Sequence, residues 1–317
     1  MKVLIATEEG VFALAEEGQA EKETGPESAA FVSAGPDAAY AVTVAGALWR
    51  RDEGGWDLIN DEPVNEAVWS FAADPQVAGL VYLGVHTAAL HRSTDGGATW
   101  KACEGIKDIP GHDGWSFPAP PHVPHVRSIA PDPLVAGGVY IGVEEGGVYR
   151  SIDEGETWES LNEGLYWDVH TILPTTEPGL LYATTGDGFY RSEDAGQHWS
   201  HLMAGLDRGY TVPCVALASD LEVLYTAAAT GSPPSWRHND RGALAAMYRS
   251  DDGGHNWSRL ERGLPETFHP MIRSINVVGE SDVYAAAGNN VYASKDRGES
   301  WVVAATGLPN IRALAVI

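Results

Sequence analysis

Five segments of the chain line up on one another: VWSFAADP, VRSIAPDP, VHTILPTT, IRSINVVG and IRALAVI. One column of that alignment holds Trp69, Arg127, His170, Arg273 and Arg312. Guanidinium groups grip carboxylates and phosphates through paired N–H donors, and the grip strengthens where water is partly excluded. Three arginines and a histidine at one register position therefore make a candidate anion site, in a chain whose formal net charge is −24. The competing use is structural, each arginine pairing with a nearby acid.

Two longer segments add aromatic and imidazole groups. Residues 104–122, EGIKDIPGHDGWSFPAPPH, carry His112, Asp113, Trp115, Phe117 and His122, with His125 just beyond. The prolines stiffen this stretch and would hold its side chains over a neighbouring surface. Residues 229–244 offer Trp236, Arg237, His238 and Asp240. Tryptophan beside polar groups suits stacking on a sugar or another flat ligand, and equally suits anchoring its own loop. His122 and His125, with His170 or His112, are the residue types of a zinc or iron site. The H-x-x-H spacing lies on an irregular segment and fixes no geometry, so no cofactor is predicted. Cys214 reads as a small buried hydrophobe rather than a nucleophile. Glycoside hydrolysis needs two carboxylates across a cleft, and Asp113, Glu144, Glu145, Asp168 and Asp240 are all eligible. The sequence selects no pair among them. It contains no phosphate loop, dinucleotide fingerprint, H-E-x-x-H or G-x-S-x-G.

The elements that would position these groups come from a repeat. The octet S-x-D-x-G-x-x-W occurs as STDGGATW (93–100), SIDEGETW (151–158), SEDAGQHW (192–199), SDDGGHNW (250–257) and SKDRGESW (294–301). RRDEGGW (50–56) is a decayed copy. The period is about 42 residues with two insertions, and each unit holds four short alternating runs bounded by Gly, Asp and Pro. Four strands at this period predict a propeller blade. Within the octet, Ser and Asp can bond turn backbone, Gly takes a conformation closed to other residues, and Trp packs inward. It therefore reads as a clasp rather than a catalytic or calcium site.

The predicted fold is an all-β, seven-bladed propeller forming one domain over residues 1–317. The expected blades are about 64–107, 123–165, 167–205, 210–264 and 270–308, with a decayed blade at 30–62. Residues 1–29 supply middle strands and 309–317 an innermost one, so together they should form a seventh blade that closes the ring. In a four-stranded meander the loop entering the first strand and the loop joining the second to the third share one face. Both insertions map there, near the start of the aligned column.

The octets resemble the Asp-box, or BNR, repeat, over essentially the whole chain. The resemblance implies a propeller of the class that includes sialidases, xyloglucan-active glycosidases, sortilin-type receptors and photosystem II assembly factors. Sialidases have six blades and an R-I-P motif; this chain has seven expected units and no R-I-P.

Composition narrows the partners. With 44 acids against 20 Lys and Arg, the long-range field disfavours nucleic acid and anionic membranes. Two cysteines give no disulfide framework, the start of the chain does not read as a signal peptide, and no apolar run spans a bilayer, so a cytoplasmic monomer is expected. Five lysines among many acids fit a salt-adapted host or a high-GC coding bias. The function expected is binding of an anionic or sugar-like ligand at the axial mouth. A glycosidase and a protein-assembly scaffold stay open as alternatives, and whether the protein is an enzyme is undecided.

Overall fold

The computed structural model describes residues 2–15, 19–237, 240 and 242–317. The side chain of Arg237, and His238, fall outside that description. Among the described residues there are seven four-stranded antiparallel sheets, each a simple meander, one short α-helix, Pro233–Arg237, and two 3-10 turns of helix, Glu104–Asp108 and His112–Gly114. No helix of these residues is long and apolar enough to cross a membrane.

Blades are numbered here by the chain order of their innermost strands. These are Phe31–Ala34 in blade 1, Ala67–Ala73 in blade 2, Val126–Pro131 in blade 3 and Val169–Pro174 in blade 4. Blades 5, 6 and 7 begin with Tyr210–Leu217, Ile272–Val278 and Ile311–Val316. Blade 7 is closed as the half-units require: Ile311–Val316 pairs antiparallel with Val3–Thr7, which pairs in turn with Gly10–Leu14. Lys2 N–H donates to the Ile317 carbonyl at 2.8 Å and receives the reciprocal bond at 2.9 Å.

Second strands carry long buried runs because both faces are covered by neighbouring blades; Val81–Val85 and Leu181–Thr185 are buried at every position. Their tyrosines reach across. The hydroxyls of Tyr82, Tyr182 and Tyr225 each donate to a carbonyl of the following blade, at Gly137, Leu221 and Arg297. Arginines preceding the octets do likewise, Arg191 binding Glu222 through two nitrogens at 3.0 Å and Arg249 binding Glu299 at 2.8 Å, whereas Arg150 binds Asp132 of its own blade.

Each octet is a clasp. The buried Ser93 hydroxyl donates to Asp95 Oδ1 at 2.7 Å and accepts the Gly97 N–H at 2.8 Å. Asp95 also accepts the Thr99 N–H at 2.9 Å and the Thr99 hydroxyl at 2.6 Å. The seventh position supplies this second donor in every copy, from Thr157, His198, Asn256 and Ser300. These donors, first the side chain and then the N–H of the same residue, hold the carboxyls of Asp95, Asp153, Asp194 and Asp296 at about 2. Decayed blade 1 uses another device. Glu23 accepts from Lys2, Arg51 and the Trp56 indole at 2.8, 2.8 and 2.6 Å, joining blades 7 and 1. Burial alone would raise the Glu23 carboxyl; those donors bring it down to about 2.

Carboxyls whose folded pKa is depressed stabilise the fold above their unfolded pKa, near 4, and lose that contribution as pH falls through the folded value. Thermal melts at constant ionic strength are therefore expected to hold from pH 7 to about 4.5, then fall steeply toward pH 2. A Tm unchanged between pH 4 and pH 2 would contradict the clasp as an ionised device.

Candidate functional site

The residues of the aligned column share a backbone feature that alternation alone does not reveal. In blade 3 the register passes from Val126↔Val143 directly to Ser128↔Gly142, leaving Arg127 as an extra residue. Trp69, His170, Arg273 and Arg312 are the extra residues at equivalent bulges of blades 2, 4, 6 and 7. Blade 5 bulges at the same place with Val212 and Pro213. A bulge re-aims a side chain while the ladder continues on either side. The next residue pins it: Ser70 donates to the Val126 carbonyl, Thr171 to the Val212 carbonyl, and Ser128 and Ser274 accept the N–H groups of Ile172 and Leu314. These hydroxyls stitch the inner strand of blade 2 to blade 3, 3 to 4, 4 to 5 and 6 to 7.

The re-aimed groups meet. Glu144, at the turn after the second strand of blade 3, accepts His125 Nε2 and Arg127 Nη1, both at 2.9 Å, on the same oxygen. Burial would raise its carboxyl, but Arg127 and His125 bring it down to about 2. His125 is fully buried, and burial pushes its own pKa down, so it donates as a neutral ring. Trp69 lies on His125 with ring centroids 3.8 Å apart, and Phe117 covers the edge of both. His170 is fully buried, with Nδ1 against the Thr211 carbonyl at 2.5 Å and Nε2 3.5 Å from Asp168. Tyr210 packs on His170 at 4.4 Å, and Trp236 meets Tyr210 edge-on at 5.5 Å.

The three arginines fare differently. Arg127 is held by Glu144, and Arg312 by the exposed Glu8 at 3.0 Å. Arg273 makes no hydrogen bond or ion pair with any described residue. Its guanidinium is pulled below the usual arginine value, first by burial and then by Arg127 and Arg312, and it stays cationic. It is open to water yet walled by protein on its other sides. It borders a cavity of about 320 Å³ whose walls include Trp236, His269, Met271, Asn310 and Ile311.

The insertions lie where the meander places them, but their side chains divide. Trp115 is buried and donates to the Tyr149 hydroxyl at 3.0 Å, anchoring its own loop. His112 packs on Trp115 rather than facing the mouth, and the exposed His122 turns Nδ1 to the Phe117 carbonyl at 2.8 Å. Trp236 donates to Gly231 at 2.6 Å and still presents a face to the cavity. Cys214 is buried, and burial pushes its thiol far up, so it offers no thiolate. Residues the alignment missed are Tyr210, and Glu8 beside Arg312. Among the eligible carboxylates, Glu144 and Asp168 come together with His170, their ligand atoms all within 4.8 Å of one another.

No protein-family model matches the chain, and no curated protein matches it in sequence. Solved structures with the same architecture include the xyloglucanase of glycoside hydrolase family 74 from Xanthomonas campestris. It is 20% identical with a TM-score of 0.64, over 95% of this chain and 46% of that one. The chain thus spans less than half the length of that enzyme. YCF48 bound to D1 peptide is 15% identical with a TM-score of 0.63, over 92% of this chain and 87% of that one. YCF48 from Cyanidioschyzon merolae is 15% identical with a TM-score of 0.62, over 93% and 95%. At these identities the likeness establishes the seven-bladed fold.

Proposed function

We propose that this propeller is a binding module that captures a carboxylate-bearing ligand at its axial mouth, with Arg273 as the anchor. The observation that carries the reading is a cation with no ion pair or hydrogen bond among the described residues, within the field of two other arginines, in a protein with 24 more acids than bases. A guanidinium open to water and walled by protein on its other sides keeps its five N–H donors available, and a ligand anion gains a charge-assisted contact there. Arg127 and Arg312 lend the field, while Trp236 offers a flat wall beside the bound group. A peptide carboxylate and an acidic sugar both have the required chemistry. The peptide partner of YCF48 supports the first, and the family 74 xyloglucanases support a carbohydrate.

A hydrolytic reading draws on the closeness of Glu144 and Asp168. It is the weaker one, because Glu144 is held ionised and spent on His125 and Arg127, which leaves it poorly suited as a proton donor.

The test is calorimetric titration with citrate, glucuronate and a short peptide of free C-terminus, on the native chain and on Arg273→Ala. Losing one charge-assisted contact of about 1.5–3 kcal/mol should weaken binding roughly 10- to 100-fold. The variant's Tm should stay level or rise slightly, since repulsion among the arginines is relieved. Unchanged affinity together with a lowered Tm would assign Arg273 a structural role instead.

A further inference from the structure

The His170–Asp168 contact carries a feature that the anion reading leaves unused. Thr211 can only accept through its carbonyl, so His170 Nδ1 must bear the proton in their 2.5 Å bond. In the neutral ring Nε2 is then a bare lone pair. It points toward Asp168 Oδ1 at 3.5 Å, and neither atom has a hydrogen-bond partner. Two buried acceptors facing each other repel unless a cation lies between them. A carboxylate oxygen of Glu144 completes a triangle with all donor atoms within 4.8 Å. Gly186 keeps the space clear, because a Cβ there would stand 2.3 Å from Asp168 Oδ2.

From this geometry we infer that Glu144, Asp168 and His170 form a site for a divalent transition-metal ion of the zinc type. Donors 3.5 Å apart, each about 2.0–2.1 Å from one ion, subtend about 115°, close to tetrahedral. Two ligands of one tetrahedral zinc ion stand about 3.4 Å apart, so the Glu144 oxygen, within 4.8 Å of the other two donors, must close in by up to about 1.4 Å when the ion binds. The mixed imidazole and carboxylate set suits zinc, cobalt or iron better than calcium or magnesium. The Nδ1–H bond to a backbone carbonyl is the arrangement that fixes the tautomer and ring plane of a metal-bound histidine. Charge agrees as well. Two carboxylates beside Arg127 sum to −1, which a divalent ion turns to +1, leaving a fourth coordination position in a cationic mouth.

The inference is independent of the anion reading and uses the metal alone as probe. The full chain, stripped with a chelator, would be titrated with Zn²⁺ by calorimetry and with Co²⁺ by visible absorption. One equivalent is expected, with the d–d bands of tetrahedral cobalt. His170→Ala and Asp168→Asn should each weaken binding by about 100-fold or more, beyond what loss of a ligand's hydrogen-bond partner costs. His122→Ala and Arg273→Ala should retain it. Should either ligand variant misfold, ¹⁵N spectra of the native chain decide, since zinc must shift His170 Nε2. The proposal is overturned by no binding, by equal affinity in the folded variants (surface carboxylates holding the ion), or by a protonated His170 Nε2 that zinc leaves unmoved.

Discussion

Removing residues 310–317 is expected to abolish the cooperative fold. The lost strand pairs with Val3–Thr7 from Val3↔Val316 to Thr7↔Ile311 and buries Ile311, Leu314 and Ala315. About five backbone hydrogen bonds at ~1 kcal/mol each, and two large aliphatic side chains at ~2 kcal/mol each, amount to most of a typical stability of about 5–15 kcal/mol. What remains is an all-buried strand, Val3–Thr7, with one edge bare, a template for aggregation. The truncated chain should be found in inclusion bodies or, if soluble, should melt without a sharp transition by circular dichroism. A soluble truncated chain with the parental Tm would show that blade 7 does not hold the ring shut.

Glu144→Ala is the point substitution with the greatest expected cost. The carboxylate is almost wholly buried and serves two donors with one oxygen, so its loss strands the Arg127 charge and the His125 ring N–H together. Breaking a buried pair from one side costs about 3–5 kcal/mol, here about 5–8 °C in Tm for a chain of this length. Adding Arg127→Ala should restore part of the loss, because the uncompensated cation goes with it. Strictly additive losses in the double variant would mean that the two side chains are not coupled.

Much of the ring could be read before any coordinates. The octet spacing, the half-units at the ends and the clasp chemistry lead directly to seven sheets, because turns with fixed donors and a glycine leave few alternatives. Two further regularities lie in the same letters. A side-chain donor occupies the seventh octet position in Thr99, Thr157, His198, Asn256 and Ser300, and a hydroxyl follows the column residue in Ser70, Ser128, Thr171 and Ser274. The bulges were not legible. Alternation assigns a side chain to one of two faces, whereas an extra residue depends on what the neighbouring strand does opposite it. The choice of Glu144 over Glu145 was equally hidden, since adjacent turn residues differ only in backbone angle, Glu145 taking φ 50°. Trp115 looked as available as Trp236 until Tyr149 provided its partner.

Because each mouth residue is supernumerary in its ladder, it is the one place on an inner strand where excision would not turn the remaining side chains over. Elsewhere a single-residue deletion inverts inside and outside along the rest of the strand. The choice of side chain at the mouth and the register of the strands are thus written in separable letters. A lineage could lose or gain a residue at these positions while inheriting the strand register intact.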